Sequence, residues 1–593
     1  MFHPFTHLPP LKVYMIRVAI IGSGPTGIYT LQGLIASTQP LYITVFEETP
    51  DAGKGTPYHP AVNDRAMLAN IASIELPPID QSLVEWLRSK SDAELEALDV
   101  AREAIGDREF YPRVVLGDYF ADQFWALVKR GIAGGHTIDV KASHKIRDII
   151  LGHADVALKY TRRAGGEDGE ANFDHVVMAT GHDWPDDTEV SPGYFSSPWP
   201  ASAIKRIGPV EVGVLGTSLS GIDAVVSVAT AHGMFLRDQN GTLGYQPARG
   251  AERFRITMMS RKGLLPEADF YCPMPYEPLV VCTKDAVERL ISDKPDRLLD
   301  EVFNLFKQEI VLADPDYAAK IGLGLATLED IAERYFRERE QADPFVWAAR
   351  NLSEAKAHKT TRTTVQWRYA ILRMHEVIAL AVPHFNESDL KCFHAHFKTV
   401  FVDDYATVPH QSVERLLALH NAGTLQVRAL GEEYNIQHDG EDSGATVTRG
   451  SETVRFAAFI DATGQHALSA ADLPFPSLRR SDGLKAAETR TGDLDGRMLL
   501  TRRTGGIDID DDFRPRVGPN LTNHLYCVSV PFLLHKLPFV QGITSSHEMG
   551  ARVARAILSS VERDGRLFQF DRSEEATKIS SPTAIEPAQV TPT

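Results

Sequence analysis

The chain has 593 residues, 43% of them hydrophobic, and sets 62 basic against 79 acidic side chains for a formal net charge of −17. That length supports a large core divided into two or three domains, and its ordinary glycine and proline content excludes fibrous and wholly disordered classes. The acidic balance repels a phosphate backbone, which argues against a nucleic-acid partner.

The four cysteines, Cys272, Cys282, Cys392 and Cys527, form no CxxC pair. This removes the short dithiol relay and the usual zinc or iron–sulfur spacings, and no metal site is expected. Such sparse cysteine use fits a reducing, cytoplasmic setting. Residues 1–15 read as a flexible lead-in without a signal-peptide pattern. No uncharged apolar run reaches the length of a membrane span, so no membrane partner is expected.

In chain order, IRVAIIGSG (16–24) predicts a strand ending in glycines, TGIYTLQGLIAS a helix and YITVFEE a second strand, together a βαβ unit. HVVMATG (175–181) and EVGVLG (211–216) predict two further buried strands, and TSLSGIDAVVSVATAHG another helix. AERFRITMMSRKG ends as a strand does, and residues 284–390 are largely amphipathic helix. TLQVRA, ATVTRG and VRFAAFIDATG return to strand character, while RRAGGEDGEAN and QHDGEDSGA read as hairpin turns. The last twenty or so residues lack a packable pattern and predict a disordered tail.

Gly22-Ser23-Gly24-Pro25-Thr26-Gly27 is a GxGxxG run between strand and helix. Gly22 permits the tight turn, Gly24 the approach of a pyrophosphate and Gly27 close helix–strand packing. An anion would sit over the free amides of the helix terminus. Glu47, at the end of the second strand, can accept from a ribose that lacks a 2′-phosphate, with Glu48 the rival one residue on. Spacing alone leaves FAD and NAD open. Gly216-Thr217-Ser218-Leu219-Ser220-Gly221 repeats the pattern with serine at the second position. It reads as a nicotinamide-dinucleotide turn or a structural junction, with Asp223 serving packing or capping. Arg261 and Lys262, at the exit of the next strand, suit a 2′-phosphate and favour NADPH over NADH.

Several blocks carry a family resemblance: GSGPTGIYTLQGL (22–34), GKGTPYHPAVNDRAMLANIAS (53–73), YPRVVLGDYF (111–120), VVMATGHDWP (176–185), GTSLSGIDA (216–224), SRKGLLP (260–266), DATG (461–464) and LYCVSVPFLLHKLPFVQGITSSHEMG (525–550). Over roughly residues 16–560 the chain resembles the FAD/NAD(P)-binding proteins related to the N-hydroxylating and class B flavoprotein monooxygenases. The resemblance implies an α/β fold with two Rossmann-like dinucleotide-binding domains of the glutathione-reductase-like type and a helical insertion. The FAD-binding domain would comprise 16–182 and 455–572, and the NAD(P)-binding or associated domain 205–283 with part of 391–454. Residues 284–390 would be an insertion that covers substrate, and 573–593 the tail.

By the same resemblance, Gly22, Ser23, Gly24, Pro25, Thr26 and Gly27 would cradle the FAD diphosphate and Glu47 its adenosine ribose. Met67, Leu68, Ala69 and Asn70 would touch the flavin, Arg113 would neutralise phosphate, and Thr180 and Gly181 would lie at the crossing between domains. Gly542, Thr544 and Ser545, near the start of the last long helix, would stabilise negative charge on the reduced flavin. It implies an NADPH-dependent monooxygenase that forms a C4a-(hydro)peroxyflavin and oxygenates a small amine or amino acid nitrogen, with molecular oxygen as co-substrate. A flavin oxidase or dehydrogenase and a non-catalytic redox sensor are the alternatives.

Catalytic side chains are thinly marked. Asn70, His547 beside Glu548, and Arg368, which could grip a substrate carboxylate from a helix, are the candidates. His59 lies in the flavin block. His394 and His396, with Lys391 and Asp403 nearby, would share one side of a strand, for which two hydrogen-bonded imidazoles are the plainer account than a metal.

Overall fold

The computed structural model describes residues 15–163, 165–166, 168–181, 188–438, 443–464, 467–480, 483–491, 500–517, 520–540 and 542–579. Its two central sheets are built from short β-branched and aliphatic runs, and their inner strands are buried on both faces as parallel strands under helices are. These strands are β1 (Arg17–Ile21), β2 (Tyr42–Phe46), β3 (Thr137–Lys141), β4 (His175–Met178), β5 (Tyr194–Phe195), β6 (Glu211–Leu215), β7 (Arg255–Ser260), β8 (Leu425–Ala429), β9 (Ala458–Asp461) and β10 (Leu525–Cys527). The first sheet has the order β10-β4-β1-β2-β3 and is parallel throughout. The second runs β8-β7-β6-β9-β5, also parallel, with Glu189–Ser191 added antiparallel at its edge. The fold is therefore α/β with two Rossmann-type units and a helical insertion.

Register aligns the functional ends of these strands. Ile21 pairs with Phe46 and with Met178, so Gly22, Glu47 and Ala179 leave the first sheet at one edge. Leu215 pairs with Met259 and with Asp461, which brings Gly216, Ser260 and Ala462 together in the second. Helices α1 (Pro25–Leu34), α2 (Arg113–Ala133) and α3 (Leu219–Ala231) follow the turns. The segment RRAGGEDGEAN joins two antiparallel strands, as its turn residues predict.

The insertion is helical from Lys284 to Tyr405 and includes α4 (Leu298–Ala313), α5 (Ile331–Glu340), α6 (Pro344–Thr361), α7 (Gln366–Ala379) and α8 (Lys398–Tyr405). Here one expectation fails. His394 and His396 lie in a π-helical segment, Phe393–Phe397, and not on a strand. Phe393, Phe397 and Phe401 recur every four residues and are fully buried, with Phe397 packed edge-on against Phe303 and Phe306. That spacing outweighs the alternation of the histidines. Among the described residues, no group of three or more histidine, cysteine or acidic side chains is placed to hold a metal ion, and no helix is long and apolar enough to cross a membrane.

After β10 the chain enters α9 (Ile543–Ile579), which runs beyond the point where the sequence predicts the tail; residues 580–593 lie outside the described residues. This helix packs along α1 through small residues. A Cβ on Gly33 would lie 2.5 Å from the Ala554 Cβ, and one on Gly550 would lie 2.7 Å from the Thr30 backbone nitrogen. We expect Gly33→Val to destabilise the protein by about 1–3 kcal/mol, the usual cost of overpacking, read as a lower urea midpoint at unchanged m-value. An unchanged midpoint would show that the two helices separate without cost.

Candidate functional site

Both sheets open their carboxyl edges on one cleft of about 2180 Å³. Gly22 has φ +101°, and a Cβ on it would lie 2.3 Å from the Ala179 carbonyl oxygen; a Cβ on Gly27 would lie 2.1 Å from the Gly22 carbonyl oxygen. Only glycine therefore lets α1 start this close to the strand ends. Gly24 faces Gly55, where a Cβ would come within 3.3 Å of the opposite Cα. No side chain caps α1, so its first amides keep their capacity to bind an anion. The start of α9 stands alongside, with the Thr26 hydroxyl donating to Ser546 Oγ at 3.1 Å. Gly542, Thr544 and Ser545 line the cleft with Gly22, Gly24, Pro25 and Thr26.

Glu47 fastens this turn. Its Oε2 accepts from the Ser23 amide at 3.2 Å and hydroxyl at 2.7 Å, and its Oε1 accepts from the Thr49 amide and hydroxyl, each at 2.9 Å. Ser23 is fully buried and its Oγ also accepts from the Gly53 amide, so its side chain braces the turn from behind and does not line the cleft. Glu48 is paired with Lys145 and Arg163. Of the two acids, Glu47 is the one joined to the glycine turn.

The flavin block divides. Ala69 and Asn70 line the cleft, and the buried Asn70 Oδ1 has no hydrogen-bond partner among the described residues. Met67 and Leu68 do not line it. Met67 is fully buried against Trp199 and Ala201, where its apolar side chain gains more than at a polar wall, and the Leu68 carbonyl accepts from Arg113 Nε at 3.3 Å. Arg113 reaches the cleft, but its Nη2 lies 2.6 Å from Asp223 Oδ2 and its guanidinium stands over Trp199. The expected phosphate partner thus already has a carboxylate. Asp223, 5% exposed on α3, has its carboxyl pushed up to about 6 by burial, against the pull of Arg113 and Arg415. Thr180 and Gly181 line the cleft, with Thr180 bonded to Ser529 Oγ at 2.7 Å.

The second turn repeats the first in its construction. Gly216 has φ +120° and its Cβ would lie 2.6 Å from the Ala462 carbonyl oxygen; the Gly221 Cβ would lie 2.3 Å from the Gly216 carbonyl oxygen. Leu219 and Ser220 line the cleft, whereas Gly216, Thr217, Ser218 and Gly221 stand back from it. Ser218 is exposed and makes no cap, and Thr217 Oγ1 donates to Ser260 Oγ at 3.1 Å. Arg261 lies 3.5 Å from Glu432, and Lys262 pairs with Glu340 over the Phe336 ring. The turn reaches the cleft while these two cations remain outside it.

Two catalytic candidates fall elsewhere. His547 packs edge-on against Tyr29 and does not line the cleft. Arg368 is 3% exposed and is paired with Glu267 and Asp404, so it does not face substrate space in the cleft. His59 does line the cleft and pairs with Asp51 at 3.2 Å. Sequence reasoning missed Asp269 and Glu75, which line the cleft from different domains. The Asp269 backbone is held by Val408 and His410, and its carboxyl is pushed up to about 7 by burial and then by Glu75. No local motif marks either residue, because their meeting depends on the packing of distant segments.

A glycine turn with open amides, a bracing acid and an unpartnered Asn70 beside it fit the diphosphate and ring of FAD, and they define an FAD/NAD(P)-binding α/β protein. Residues 19–183 match the family model described as FAD-NAD(P)-binding, and residues 283–405 match the YdhS-like middle domain. The uncharacterized protein YdhS of Escherichia coli (strain K12) is 40% identical over 557 residues, which cover 94% of this chain and all of that protein. The chain belongs to the YdhS family. Among solved structures it is similar to the ornithine N-hydroxylase of Kutzneria sp. 744, at 13% identity and a TM-score of 0.46 over 93% of this chain and 100% of the other. It is also similar to the bacillithiol disulfide reductase of Bacillus cereus, at 13% identity and a TM-score of 0.38 over 92% and 100%.

The raised carboxyl of Asp223 predicts a pH effect. Between its ordinary value of 3.8 and about 6 the native state holds a proton that the unfolded state has lost, so its contribution to stability falls as pH rises through that window. We expect the stability of the protein relative to Asp223→Asn to decline from pH 4 to pH 7 in urea titrations. A constant difference would mean that Arg113 keeps the carboxylate ionised throughout.

Proposed function

We propose that the chain is an FAD-dependent oxidoreductase that uses NADPH and molecular oxygen to oxygenate the nitrogen of a small amine or amino acid in a reducing, cytoplasmic setting. The observation that carries this reading is the meeting of two helix N-termini, α1 and α9, on one cleft, joined by Thr26 and Ser546. When bound, FAD supplies the electron transfer and the oxygen chemistry, which leaves the protein to bind, orient and shield. The turn Gly22–Gly27 would hold the diphosphate with its amides, and Glu47 would face the adenosine ribose. Ala69 and Asn70 would lie against the flavin, with Asn70 Oδ1 as an acceptor. Gly542, Thr544 and Ser545 would favour negative charge on the reduced ring.

The nicotinamide nucleotide would use the Gly216–Gly221 turn, entering past Leu219 and Ser220, with Arg261 and Lys262 exchanging their glutamate partners for a 2′-phosphate. The insertion walls the far side with Leu372, Val382, Phe385 and Tyr405, residues suited to excluding water. Ser218 in the second turn, and the glutamate partners of Arg261 and Lys262 at the exit of β7, favour a second reading, a flavin oxidase or dehydrogenase that takes electrons from its own substrate.

Anaerobic mixing of the FAD-loaded protein with NADPH or NADH tests this. Rapid bleaching of the flavin by NADPH, followed by substrate-dependent oxygen uptake, is expected. Reduction by an amine alone would favour the second reading, and a protein with no affinity for FAD would overturn both. Gly24→Val is expected to weaken FAD binding by at least about tenfold, or ~1.4 kcal/mol, in a fluorescence titration. Unchanged affinity would remove this turn as the phosphate site.

A further inference from the structure

A second cavity, of about 180 Å³, lies where the insertion meets the loop after β7. It is many times larger than the 10–15 Å³ or so that one water requires. Its floor is Arg368, 3% exposed, whose Nη1 pairs with Glu267 and whose Nε lies 3.4 Å from Asp404. Arg368 Nη2 is buried without a partner among the described residues. A guanidinium carries five N–H donors, so this floor offers donors that the protein does not use.

The walls are aromatic. Tyr317 and Trp367 stack at 4.0 Å and 7°, and Trp347 and Tyr335 also line the cavity. Trp347 Nε1 donates to Glu267 at 2.8 Å and the Tyr335 hydroxyl to Asp403 at 2.9 Å, which satisfies both polar edges. The Tyr317 hydroxyl has no such partner among the described residues.

Charge narrows the ligand. Burial pushes the Asp404 carboxyl well up from its ordinary value, so Glu267 and Asp403 balance Arg339 and Arg368 around the floor, which then draws neither an anion nor a cation. At the mouth, Lys320 and Arg350 both reach Glu338, at 2.6 and 3.4 Å, and Glu354 lines the same rim, so two cations meet two carboxylates there and the rim adds no net charge. A cation would meet the Arg368 guanidinium head-on. Flat walls favour a planar ring, and unused donors require an acceptor on it.

We propose that this cavity is a binding site, separate from the nucleotide cleft, for a small neutral aromatic molecule bearing a carboxamide or similar carbonyl. The carbonyl accepts from Arg368 Nη2 and the ring lies among Tyr317, Trp347 and Trp367. Phe270 lines both this cavity and the cleft, with the Arg368 guanidinium 4.7 Å from its ring centroid, and is the partition between them.

Calorimetric titration of the full chain with benzamide, benzoate and benzylamine tests the assignment. Saturable one-to-one binding of benzamide is expected, with the charged probes at least tenfold weaker. Trp367→Leu should weaken benzamide further than it weakens either charged probe, and Tyr317→Phe, which keeps the ring, locates the hydroxyl through a severalfold loss. Crystals grown with benzamide should show its oxygen on Arg368 Nη2. Absence of saturable binding, equal affinity for all three probes, or water alone at Nη2 would overturn it. These readouts need neither FAD nor turnover, so they succeed or fail independently of the proposed oxygenation.

Discussion

At Gly22 any Cβ would stand 2.3 Å from the Ala179 carbonyl oxygen, and at Gly216 any Cβ would stand 2.6 Å from the Ala462 carbonyl oxygen. Each contact joins a strand-to-helix turn to the end of the neighbouring strand, so the two turns take their positions from their sheets, and Glu47 and Ser23 then brace the first. Positive φ at both glycines makes the same demand on the backbone. Once the turns are set, parallel register brings Glu47 and Ala179 to one edge and Ser260 and Ala462 to the other. The cleft exists because these two edges face each other.

Electrostatics then decides which side chains stay available to a ligand. Arg113, Arg368, Lys262 and Arg163 all have carboxylate partners. For a buried group such as Arg368, leaving those partners would strand an uncompensated charge, which is far costlier than breaking an exposed pair. Lys262 and Arg261 are exposed, and exchanging one anion for another costs them little. The distinction separates a structural arginine from cations able to meet a phosphate.

The fold was legible where its determinants are local. The glycine turns, the βαβ unit and the acid at the end of β2 lie within a few dozen residues, and each follows from chain geometry. The insertion was legible as helix from its amphipathic runs. What failed was any inference that needed a distant partner. Arg368 looked free because Glu267 lies a hundred residues earlier, and Arg113 looked suited to phosphate because Asp223 lies on another domain. His394 and His396 suggested a strand through their alternation, although the four-residue recurrence of Phe393, Phe397 and Phe401 held the stronger signal. Asp269 and Glu75 carried no pattern, since only the tertiary structure brings them to a common cleft.

The segment before Asn70 shows how the two domains share one site. The Val62 carbonyl accepts from the Ala201 amide at 2.8 Å, Asp64 pairs with Lys205 at 2.5 Å, and the Ala66 carbonyl accepts from Arg415 at 2.6 Å. Met67 is buried against Trp199 and Ala201. Trp199, Ala201 and Lys205 follow strand β5 of the second sheet and Arg415 precedes its strand β8, whereas the backbone of Ala69 bonds to Tyr111, just ahead of α2. Asn70 is thus held from both sides, and its unpartnered oxygen has a fixed place only while both domains keep their contacts. A wall assembled in this way links the geometry around Asn70 to the placement of the second turn, because Arg113 joins the Leu68 carbonyl to Asp223 on α3, the helix that the turn begins.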